Sequence, residues 1–420
     1  MKIVLISIGT RGDVEPFLAI AERLKDQGHT IFCAFPAQYE KLAIEIGVGF
    51  YPLKKEFLEM LDSPNGRIAL GGGSSLADRF RAMYKLYKMN RVVSFEMLKQ
   101  QHDLLETERP DLVLHSLKAM YPISWHIQNP GKAVTVSPIP CVVHPLDTMS
   151  AIFLMGKNFG SRINRWSYRF SRMLSMRFTK NQLRKIGISN ISTRDLIESL
   201  VSEKFIYTIS PSLFPHHSGW RDTVKVFGYQ ERNKMRYWES PPELDKFLEL
   251  NPSPLFLTFG SMSNPDPEGK TNMILQILRT HGIPAIINTA GGGLIPLENY
   301  DRSLIHFVEE IPYDWIFPKV RAVVHHGGAG TTHLALKYGK PSMIIPHIPD
   351  QHLWNRIMSQ LSLGPFGPSI RKLNSTNFEK GLLDLLSNKH YLINSEHTGR
   401  QIKKEDYSGE MLKFLLEPVN

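Results

Sequence analysis

The segment Arg321–Leu353 reads RAVVHHGGAGTTHLALKYGKPSMIIPHIPDQHL and carries the clearest structural signal in the chain. It begins with a short apolar run, passes through a glycine-rich turn at His326–Thr332, and continues with apolar residues at helical spacing over Thr331–Tyr338. A second apolar run follows at Ser342–Pro346. Strand, turn, helix and strand in this order form the repeating unit of a parallel α/β sheet.

The same alternation extends through the rest of the chain. Short apolar runs predict further strands at Lys2–Ile8, Thr30–Phe35, Leu112–His115, Ala133–Val136, Pro254–Phe259, Pro284–Thr289, Leu304–Val308 and Ala322–His325. Helical patterns occur at Thr271–Thr280 and in the tail Arg400–Leu416. We expect the region between about Leu61 and Asn190 to be irregular, with a flexible loop at Gly71–Ser75.

A chain of 420 residues is too long for one ordinary hydrophobic core, so two domains are expected. The predicted divisions are residues 1–225, residues 226–398, and a C-terminal helix at residues 399–420 that packs back on the N-terminal domain. We expect two Rossmann-like, doubly wound α/β domains that face each other across a cleft. In such sheets ligands bind at the carboxyl ends of the strands.

The charge balance favours an anionic partner, because 50 basic residues against 40 acidic ones give a net charge of +10. The chain has no zinc-ligand spacing and no aromatic-basic RNA signature, which argues against nucleic acid. Its first residues predict a buried strand rather than a secretory signal, and no segment has the pattern of a transmembrane span. Cys33 and Cys141 lie in apolar runs without a partner spacing, which indicates reduced thiols and a cytoplasmic protein.

The glycine-rich turn has the chemistry of a phosphate site. Glycines allow a ligand to approach the backbone, and a helix N-terminus presents unpaired N–H groups with a favourable dipole. Thr331 and Thr332 add hydroxyl donors, and His326 can donate to a phosphate oxygen. The alternative is a structural turn that packs a strand against a helix around a core histidine.

With these residues the segment resembles the donor-binding signature of the UDP-glycosyltransferase superfamily. The resemblance is strongest to the sterol glucosyltransferases and to the bacterial glycosyltransferases of glycopeptides and lipids. It implies a GT-B fold, whose C-terminal domain binds a nucleotide sugar and whose N-terminal domain binds the acceptor. It assigns His326 to the donor diphosphate, together with Ser261, Gly328, Gly330, Thr331 and Thr332.

The resemblance also assigns the sugar and the base of the donor. Asp350 and Gln351 would contact sugar hydroxyls, whereas by themselves they predict only a helix N-cap. Val308 and Ile311 would lie against the base. Val308 occupies the position at which plant members carry a tryptophan that stacks on uracil, and Trp315, further along, is predicted to be a core residue.

The first predicted strand leads into the loop Gly9–Pro16, which places a carboxylate at its carboxyl end. In the sterol and glycopeptide enzymes that the chain resembles, an aspartate in a similar Gly-Asp pair is the proposed base. The matching residue is Asp13, and Gly12 would let the donor diphosphate approach the backbone. The alternatives are that Asp13 caps the first helix with Arg11 as its ion-pair partner, or that Glu15 is the base.

The chain contains no Asp-x-Asp motif, through which glycosyltransferases of the other major fold hold a metal. The nearest match, Asp266–Glu268, is interpreted as a turn. We therefore expect transfer without a metal, and with no cofactor besides the UDP-sugar co-substrate.

The segment Lys157–Lys185 is rich in lysine and arginine and contains no acidic residue. Four of its arginines recur at helical spacing, and an apolar series one residue along follows the same spacing at Ile163, Trp166, Phe170 and Met173. One interpretation is a helix that lies on anionic lipid. The other is a lid helix whose aromatic face covers the acceptor pocket.

The acceptor pocket of the family is lined by the segment that corresponds to Thr135–Leu146. The candidate acceptor-binding residues are His115, His144 and Trp166, although a buried structural histidine is the simpler interpretation of the first two. The apolar surroundings predict a hydrophobic acceptor such as a sterol, a lipid or a natural-product aglycone.

These features and the resemblance predict an inverting, metal-independent hexosyltransferase, with UDP-glucose as the expected donor. We expect it in the cytoplasm, at the inner face of the membrane. Two other functions fit the same fold. A nucleotide-sugar epimerase would need water-activating acidic groups, and a membrane-associated protein could bind nucleotide sugars without transferring them.

Overall fold

The computed structural model describes residues 1–68, 76–262, 264 and 266–417, so the predicted Gly71–Ser75 loop lies outside the described residues. The strands are β1 (Lys2–Ile6), β2 (Thr30–Pro36), β3 (Gly49–Leu53), β4 (Leu112–His115), β5 (Ala133–Ser137), β6 (Lys204–Tyr207), β7 (Val224–Val226), β8 (Leu255–Thr258), β9 (Ala285–Asn288), β10 (Ile305–Val308), β11 (Ala322–His325) and β12 (Ser342–Ile344).

The α-helices alternate with these strands. They are α1 (Arg11–Asp26), α2 (Glu40–Glu45), α3 (Glu56–Asp62), α4 (Pro64–Arg67), α5 (Leu76–Glu108), α6 (Tyr121–Gln128), α7 (Ser161–Lys185), α8 (Thr193–Ser202), α9 (Pro242–Leu250), α10 (Pro267–Thr280), α11 (Tyr313–Ile316), α12 (Ala329–Lys337), α13 (Pro349–Gln360), α14 (Ser375–Ser387), α15 (Lys389–Ile402) and α16 (Ser408–Leu416). No helix in the described ranges has both the length and the apolar character that crossing a bilayer requires.

The chain forms two compact units. Unit 1 comprises Met1–Ser63, Tyr84–Arg232 and Glu405–Asn420, and unit 2 comprises Pro64–Met83 and Asn233–Lys404. Each unit contains one sheet in which every pair of neighbouring strands is parallel. The prediction of two parallel-sheet α/β domains is confirmed.

The sheet of unit 1 has the strand order β3-β2-β1-β4-β5-β6-β7. Its order reverses between β1 and β4, where Ile6 lies opposite His115. The loops that follow these two strands therefore diverge at the carboxyl edge, and ligands bind at such switch points. The C-terminal helix α16 belongs to the same core, since Met411, Leu412 and Leu415 are buried in one cluster with residues of β1 and α1.

The sheet of unit 2 has the strand order β10-β9-β8-β11-β12. The reversal lies between β8 and β11, where Thr258 is opposite His325. The loop that contains Ser261 and the glycine-rich turn follow these two strands directly. The topology alone therefore brings together the two segments that the sequence analysis selected in this half of the chain.

Three strands of unit 1 were not predicted. β3 is partly exposed and contains Pro52, and β7 has only three residues, so neither shows the continuous apolar run of a central strand. β6 begins with Lys204, which is buried because its Nζ donates to the carbonyl oxygens of Phe414 and Glu417 at the end of α16. A charged residue in a strand is predicted as exposed unless its partners are known.

Two predictions about helices were wrong, and a third was partly right. The region expected to be irregular contains the long helix α5, whose surface carries many exposed apolar residues, whereas the helix predicted within Lys157–Lys185 is confirmed as α7. The tail Arg400–Leu416 is the end of α15 and the separate helix α16. Asp266 is the N-cap of α10, and its Oδ1 accepts from the N–H of Gly269 at 2.9 Å, so the predicted turn is a helix start.

Candidate functional site

The switch point of unit 2 holds His326 between two glycines. A Cβ added to Gly260, after β8, would lie 2.6 Å from the His326 ring, and one added to Gly328, after β11, would lie 2.4 Å from it. Such distances do not occur between a Cβ and a ring, so side chains at these two positions would displace the imidazole. Ser261, next to Gly260, is exposed at the same edge.

The buried state of His326 indicates a site that a polar ligand completes. The residue is only 7% exposed, and the Nδ1 of its ring has no hydrogen-bond partner among the described residues. Burial, with a smaller contribution from His325, lowers the pKa of His326 to about 3. The ring is therefore neutral near pH 7, and a buried unpaired nitrogen of this kind costs about 1–3 kcal/mol.

Helix α12 begins three residues after this histidine, with Gly328 as its N-cap. A glycine provides no side chain to cap the first N–H groups, which leaves them suited to an anion. Thr331 and Thr332 are buried in the first turn, beside Gly330. The hydroxyl of Thr332 donates to the carbonyl oxygen of Gly328 at 2.9 Å, so its hydrogen is already used by the helix.

The start of α13 adjoins the glycine-rich turn, because a Cβ on Gly327 would lie 3.3 Å from the Cβ of Gln351. Gln351 is buried, and its Oε1 accepts from the N–H groups of His347 and Ile348 at 2.8 and 3.3 Å. Its carbonyl therefore caps the helix, as the simpler interpretation of the pair predicted. Asp350 is half-buried in the first turn of α13.

His347 is a candidate site residue that the sequence analysis missed. Its Nδ1 lies 2.9 Å from the carbonyl oxygen of Ile345 and must carry the hydrogen, which leaves Nε2 as an acceptor without a partner in the described part of the chain. Its ring packs on Phe259 at 5.1 Å, and burial, followed by the charge of His326, lowers its pKa to about 3. A lone histidine after an apolar run carries no sequence signal that separates it from a core residue.

Val308 and Ile311 occupy different environments. Val308 is the last residue of β10 and lines an open pocket of about 390 Å³ with Trp238, Pro241 and Glu310. Ile311 is buried in a hydrophobic cluster of unit 2 that also contains Val308 at its margin. Only Val308 therefore presents a surface against which a base could pack.

Replacing Gly260 with alanine should lower the stability of unit 2 by about 2–4 kcal/mol. The backbone of Gly260 has φ = +55°, which costs an L-residue about 1–2 kcal/mol, and the new methyl would also displace His326. Gly282 is the matched control, because it has φ = +58° and no atom within 4 Å of an added Cβ. Urea unfolding should show a larger loss for Gly260→Ala than for Gly282→Ala. Equal losses would mean that the contact with His326 costs nothing.

In unit 1, Asp13 lies at the other switch point. It is the third residue of α1 and closes a capping box, in which its Oδ2 accepts from the N–H of Thr10 at 2.9 Å. Its Oδ1 lies 2.8 Å from the Nζ of Lys118, which follows β4. The carboxylate is thus held from two sides, with its side chain 15% exposed. Lys118 is 105 positions away in sequence and was not predicted.

Asp13 caps α1, as the alternative interpretation of this loop predicted, but its ion-pair partner is Lys118. Arg11 pairs with Glu15 at 2.9 Å, so it is not the partner of Asp13 that the capping interpretation required. Glu15 is buried and also pairs with Arg232 at 3.2 Å, which commits its carboxylate to the core of unit 1. Asp13 is therefore the carboxylate of the loop that remains close to solvent.

The glycine that the capping geometry requires is Gly9. It has φ = +143°, and an added Cβ would lie 2.0 Å from the Oδ2 of Asp13. Gly12 is exposed, and a Cβ there would meet only the Oγ1 of Thr10 at 3.9 Å. The protein itself thus requires no glycine at position 12, and the predicted approach of a ligand to Gly12 stays a prediction.

The three candidate acceptor residues lie in different environments. His115 is fully buried, with Nε2 3.3 Å from both Glu203 and Thr135, so the structure gives it a role in the core and not at an acceptor. His144 is buried against Trp220 and bonds the hydroxyl of Tyr207 at 3.0 Å; burial, then neighbouring arginines, lowers its pKa to about 3. Trp166 lies on α7 and is 56% exposed.

Two family models match the chain. Residues 3–135 match the glycosyltransferase family 28 N-terminal domain, and residues 302–414 match the erythromycin biosynthesis protein CIII-like C-terminal domain. The first match includes the loop of Asp13, and the second includes the glycine-rich turn and α13.

Curated relatives include sterol glucosyltransferases. The chain is 28% identical to sterol 3-beta-glucosyltransferase UGT80A2 of Arabidopsis thaliana over 421 residues, which are 97% of this chain and 64% of that protein. It is 24% identical to the sterol 3-beta-glucosyltransferase of Kluyveromyces lactis over 426 residues, which are 96% of this chain and 33% of that protein. The chain thus spans less than two thirds of the length of either relative.

Solved structures share the fold over the whole chain. CalG4, the calicheamicin glycosyltransferase, superposes with a TM-score of 0.70 at 17% identity and covers 99% of this chain and 98% of its own. The spinosyn rhamnosyltransferase SpnG, complexed with thymidine diphosphate, has a TM-score of 0.65 at 14% identity and covers 99% and 100%. The predicted resemblance is confirmed: parts of the chain match the glycosyltransferase family 28 N-terminal domain and the erythromycin biosynthesis protein CIII-like C-terminal domain, and the whole chain shares the fold of these solved glycosyltransferases.

Proposed function

We propose that this protein transfers a hexose from a nucleoside diphosphate sugar to a hydroxyl group of a hydrophobic acceptor. The observation that carries the proposal is His326, a buried histidine with an unpaired nitrogen, held between Gly260 and Gly328 at the switch point of unit 2. A diphosphate oxygen can accept from this nitrogen in the ring tautomer that carries the hydrogen on Nδ1, next to the uncapped start of α12.

UDP-glucose is the donor and a sterol or related lipid the acceptor that we propose first. The support is the relatives' own names, sterol 3-beta-glucosyltransferases. The thymidine diphosphate bound by SpnG supports a pyrimidine nucleoside diphosphate more generally. Val308, at the margin of an open pocket, is the proposed contact of the base.

The proposed reaction is a single displacement. The acceptor oxygen attacks the anomeric carbon, its proton passes to the carboxylate of Asp13, and the bond from the anomeric carbon to the diphosphate breaks. Lys118, 2.8 Å from Asp13, and the N–H of Thr10 hold that carboxylate in one orientation. Attack opposite the leaving group inverts the anomeric centre.

The charge of the leaving diphosphate is offset by groups of unit 2. Backbone N–H groups at the start of α12 and the N–H of the His326 ring can donate to its oxygens, as in an oxyanion site. Asp350, beside them at the start of α13, is the proposed contact of the sugar hydroxyls. With these donors we propose that transfer needs no metal ion.

Transfer from UDP-glucose should therefore proceed with EDTA present at a rate within about twofold of the rate without it. The assay measures UDP release and identifies the glucoside by mass spectrometry, with a panel of sterols, lipids and phenolic aglycones as acceptors. The anomeric proton coupling of the product distinguishes a β-glucoside, expected from inversion of the α-linked donor, from an α-glucoside. Loss of transfer in EDTA that added Mg²⁺ restores would contradict the metal-free proposal, and UDP-glucose turnover to an isomeric nucleotide sugar would contradict transfer itself.

A further inference from the structure

Helix α7 carries an apolar stripe on its solvent-exposed side. Ile163, Trp166, Met173 and Leu174 are each between 40% and 56% exposed, and Phe159, just before the helix, is 47% exposed. Apolar side chains clustered in this way on a surface mark an interaction site more often than isolated exposed ones. The stripe extends over most of three turns of the helix.

The opposite side of α7 anchors the helix to unit 1. Its buried residues are Asn164, Ser167, Tyr168, Met176, Thr179, Gln182 and Leu183. Ser167 accepts from the N–H of Ala151 at 2.8 Å, and the side-chain amide of Gln182 donates to the carbonyl oxygen of Arg91 at 3.3 Å. Because this side makes the contacts to the core, the apolar stripe is not needed for the packing of α7.

Three aromatic rings form a preformed part of the stripe. Trp166 stacks on Phe170 with ring centroids 5.0 Å apart and planes at 16°, and Phe153 packs on Phe170 at 6.2 Å. Trp166 and Phe153 nevertheless remain 56% and 43% exposed, so their rings are accessible to a partner. Rings held in place by one another lose little conformational entropy when they bind a partner.

A basic stripe runs beside the apolar one. The segment Lys157–Lys185 contains nine lysine and arginine residues and no aspartate or glutamate. Arg162 and Arg169 are exposed next to Ile163 and Trp166, whereas Arg165 is paired with Asp147 at 2.8 Å. The charge of this surface is therefore positive, which favours a negatively charged partner.

We propose that the outer face of α7, formed by Phe159, Ile163, Trp166, Arg162 and Arg169, docks on an anionic lipid bilayer. The apolar side chains would enter the boundary between headgroups and acyl chains, and the arginines would contact lipid phosphates. A nucleic acid would match the arginines but would leave the aliphatic side chains against a charged backbone. Docking needs neither donor nor acceptor, so the proposal goes beyond the transfer reaction and can be tested independently of it.

The experiment is sedimentation of the full chain with two kinds of vesicle, phosphatidylcholine alone and phosphatidylcholine mixed with phosphatidylglycerol. We expect binding to the anionic vesicles that weakens as salt is raised, and little binding to the neutral ones. The double variant Arg162→Gln, Arg169→Gln should bind the anionic vesicles roughly thirty-fold more weakly, at about fivefold per arginine near a membrane surface. The double variant Ile163→Ser, Trp166→Ser should weaken binding at least about tenfold.

Helix α15 provides matched controls, because it also exposes apolar and basic side chains. Leu392→Ser with Ile393→Ser removes two residues that are 43% and 56% exposed, and Lys389→Gln with Arg400→Gln removes two exposed charges. Neither control should change vesicle binding. The proposal is overturned if both kinds of vesicle bind equally, or if the α7 variants bind the anionic vesicles as tightly as the α15 variants do. Circular dichroism of each variant confirms that a loss of binding is not a loss of folding.

Discussion

Replacing Asp13 with asparagine should lower the rate of sugar transfer by about a hundredfold or more. General-base catalysis contributes about 10²–10⁴ in rate, and an amide cannot take the proton of the acceptor hydroxyl. The asparagine carbonyl can still accept from the N–H of Thr10, so the start of α1 should remain capped. The measurement is the initial rate at saturating donor and acceptor, with UDP affinity determined separately by calorimetry.

Asp195 is the matched control for Asp13. It is the third residue of α8, in the same unit, and closes a capping box in which its Oδ2 accepts from the N–H of Ser192 at 2.7 Å. Asp195→Asn should therefore perturb a helix start in the same way and leave the transfer rate unchanged. A wild-type rate for Asp13→Asn would remove Asp13 as the base and with it the proposed mechanism. A similar loss in both variants would assign the effect to helix capping.

Replacing His326 with glutamine should weaken the binding of UDP by about 10- to 100-fold. A hydrogen bond to a charged group contributes about 1.5–3 kcal/mol, and 1.4 kcal/mol corresponds to a factor of ten in affinity. The imidazole is held by Gly260 and Gly328, so a flexible amide would not keep the same donor position. Titration calorimetry with UDP measures the change without requiring the acceptor to be known.

His333 is the matched control for His326. It is also buried, its Nδ1 lies 2.6 Å from the carbonyl oxygen of Ala329, and burial lowers its pKa to about 4. It contacts Ala329 within α12 and the ring of Trp354, so His333→Gln should change stability while UDP binding stays near the wild-type value. Unchanged UDP affinity in a folded His326→Gln variant would show that His326 does not contact the diphosphate.

The same substitution should change how stability depends on pH. The pKa of His326 in the folded protein, about 3, lies below its ordinary value of 6.5, so between these values the unfolded chain binds a proton that the folded chain does not. The stability of the wild type is therefore lost as pH falls below about 6.5. Thermal unfolding at pH 7 and pH 5 should show a smaller loss for His326→Gln than for the wild type.

Central strands could be predicted from the sequence because they are buried on both faces. β4 and β11 were predicted with the bounds that are observed, Leu112–His115 and Ala322–His325, since each is a continuous apolar run. Strands without that signal, such as the partly exposed β3, were missed. The full length of α5 was not predicted, because exposed apolar residues obscure the usual two-sided pattern, whereas the helical spacing within Lys157–Lys185 predicted α7.

The candidate site, too, could be predicted only in part from the sequence. The segment after β11 could be selected from sequence because glycines, a histidine and a helix start are adjacent in the chain. The residues that contact these side chains could not be predicted from sequence, since Lys118 lies 105 positions from Asp13 and Gly260 lies in a different loop from His326. The buried network of His115 with Glu203, 88 positions apart, is likewise visible only in three dimensions.

The sequence by itself determined two parallel α/β sheets and the two loops, after β1 and β11, where the chemistry is proposed. These features depend on residues close together in the chain, whose periodicity and turn chemistry act locally. The tertiary structure decided which carboxylate of the first loop stays near solvent, which histidines are held with unpaired nitrogens, and that α16 completes the core of unit 1. It also decided which side of α7 faces solvent. Each of these features follows from contacts between segments that are distant in the chain. The free energies of those contacts depend on burial, which no local sequence pattern specifies.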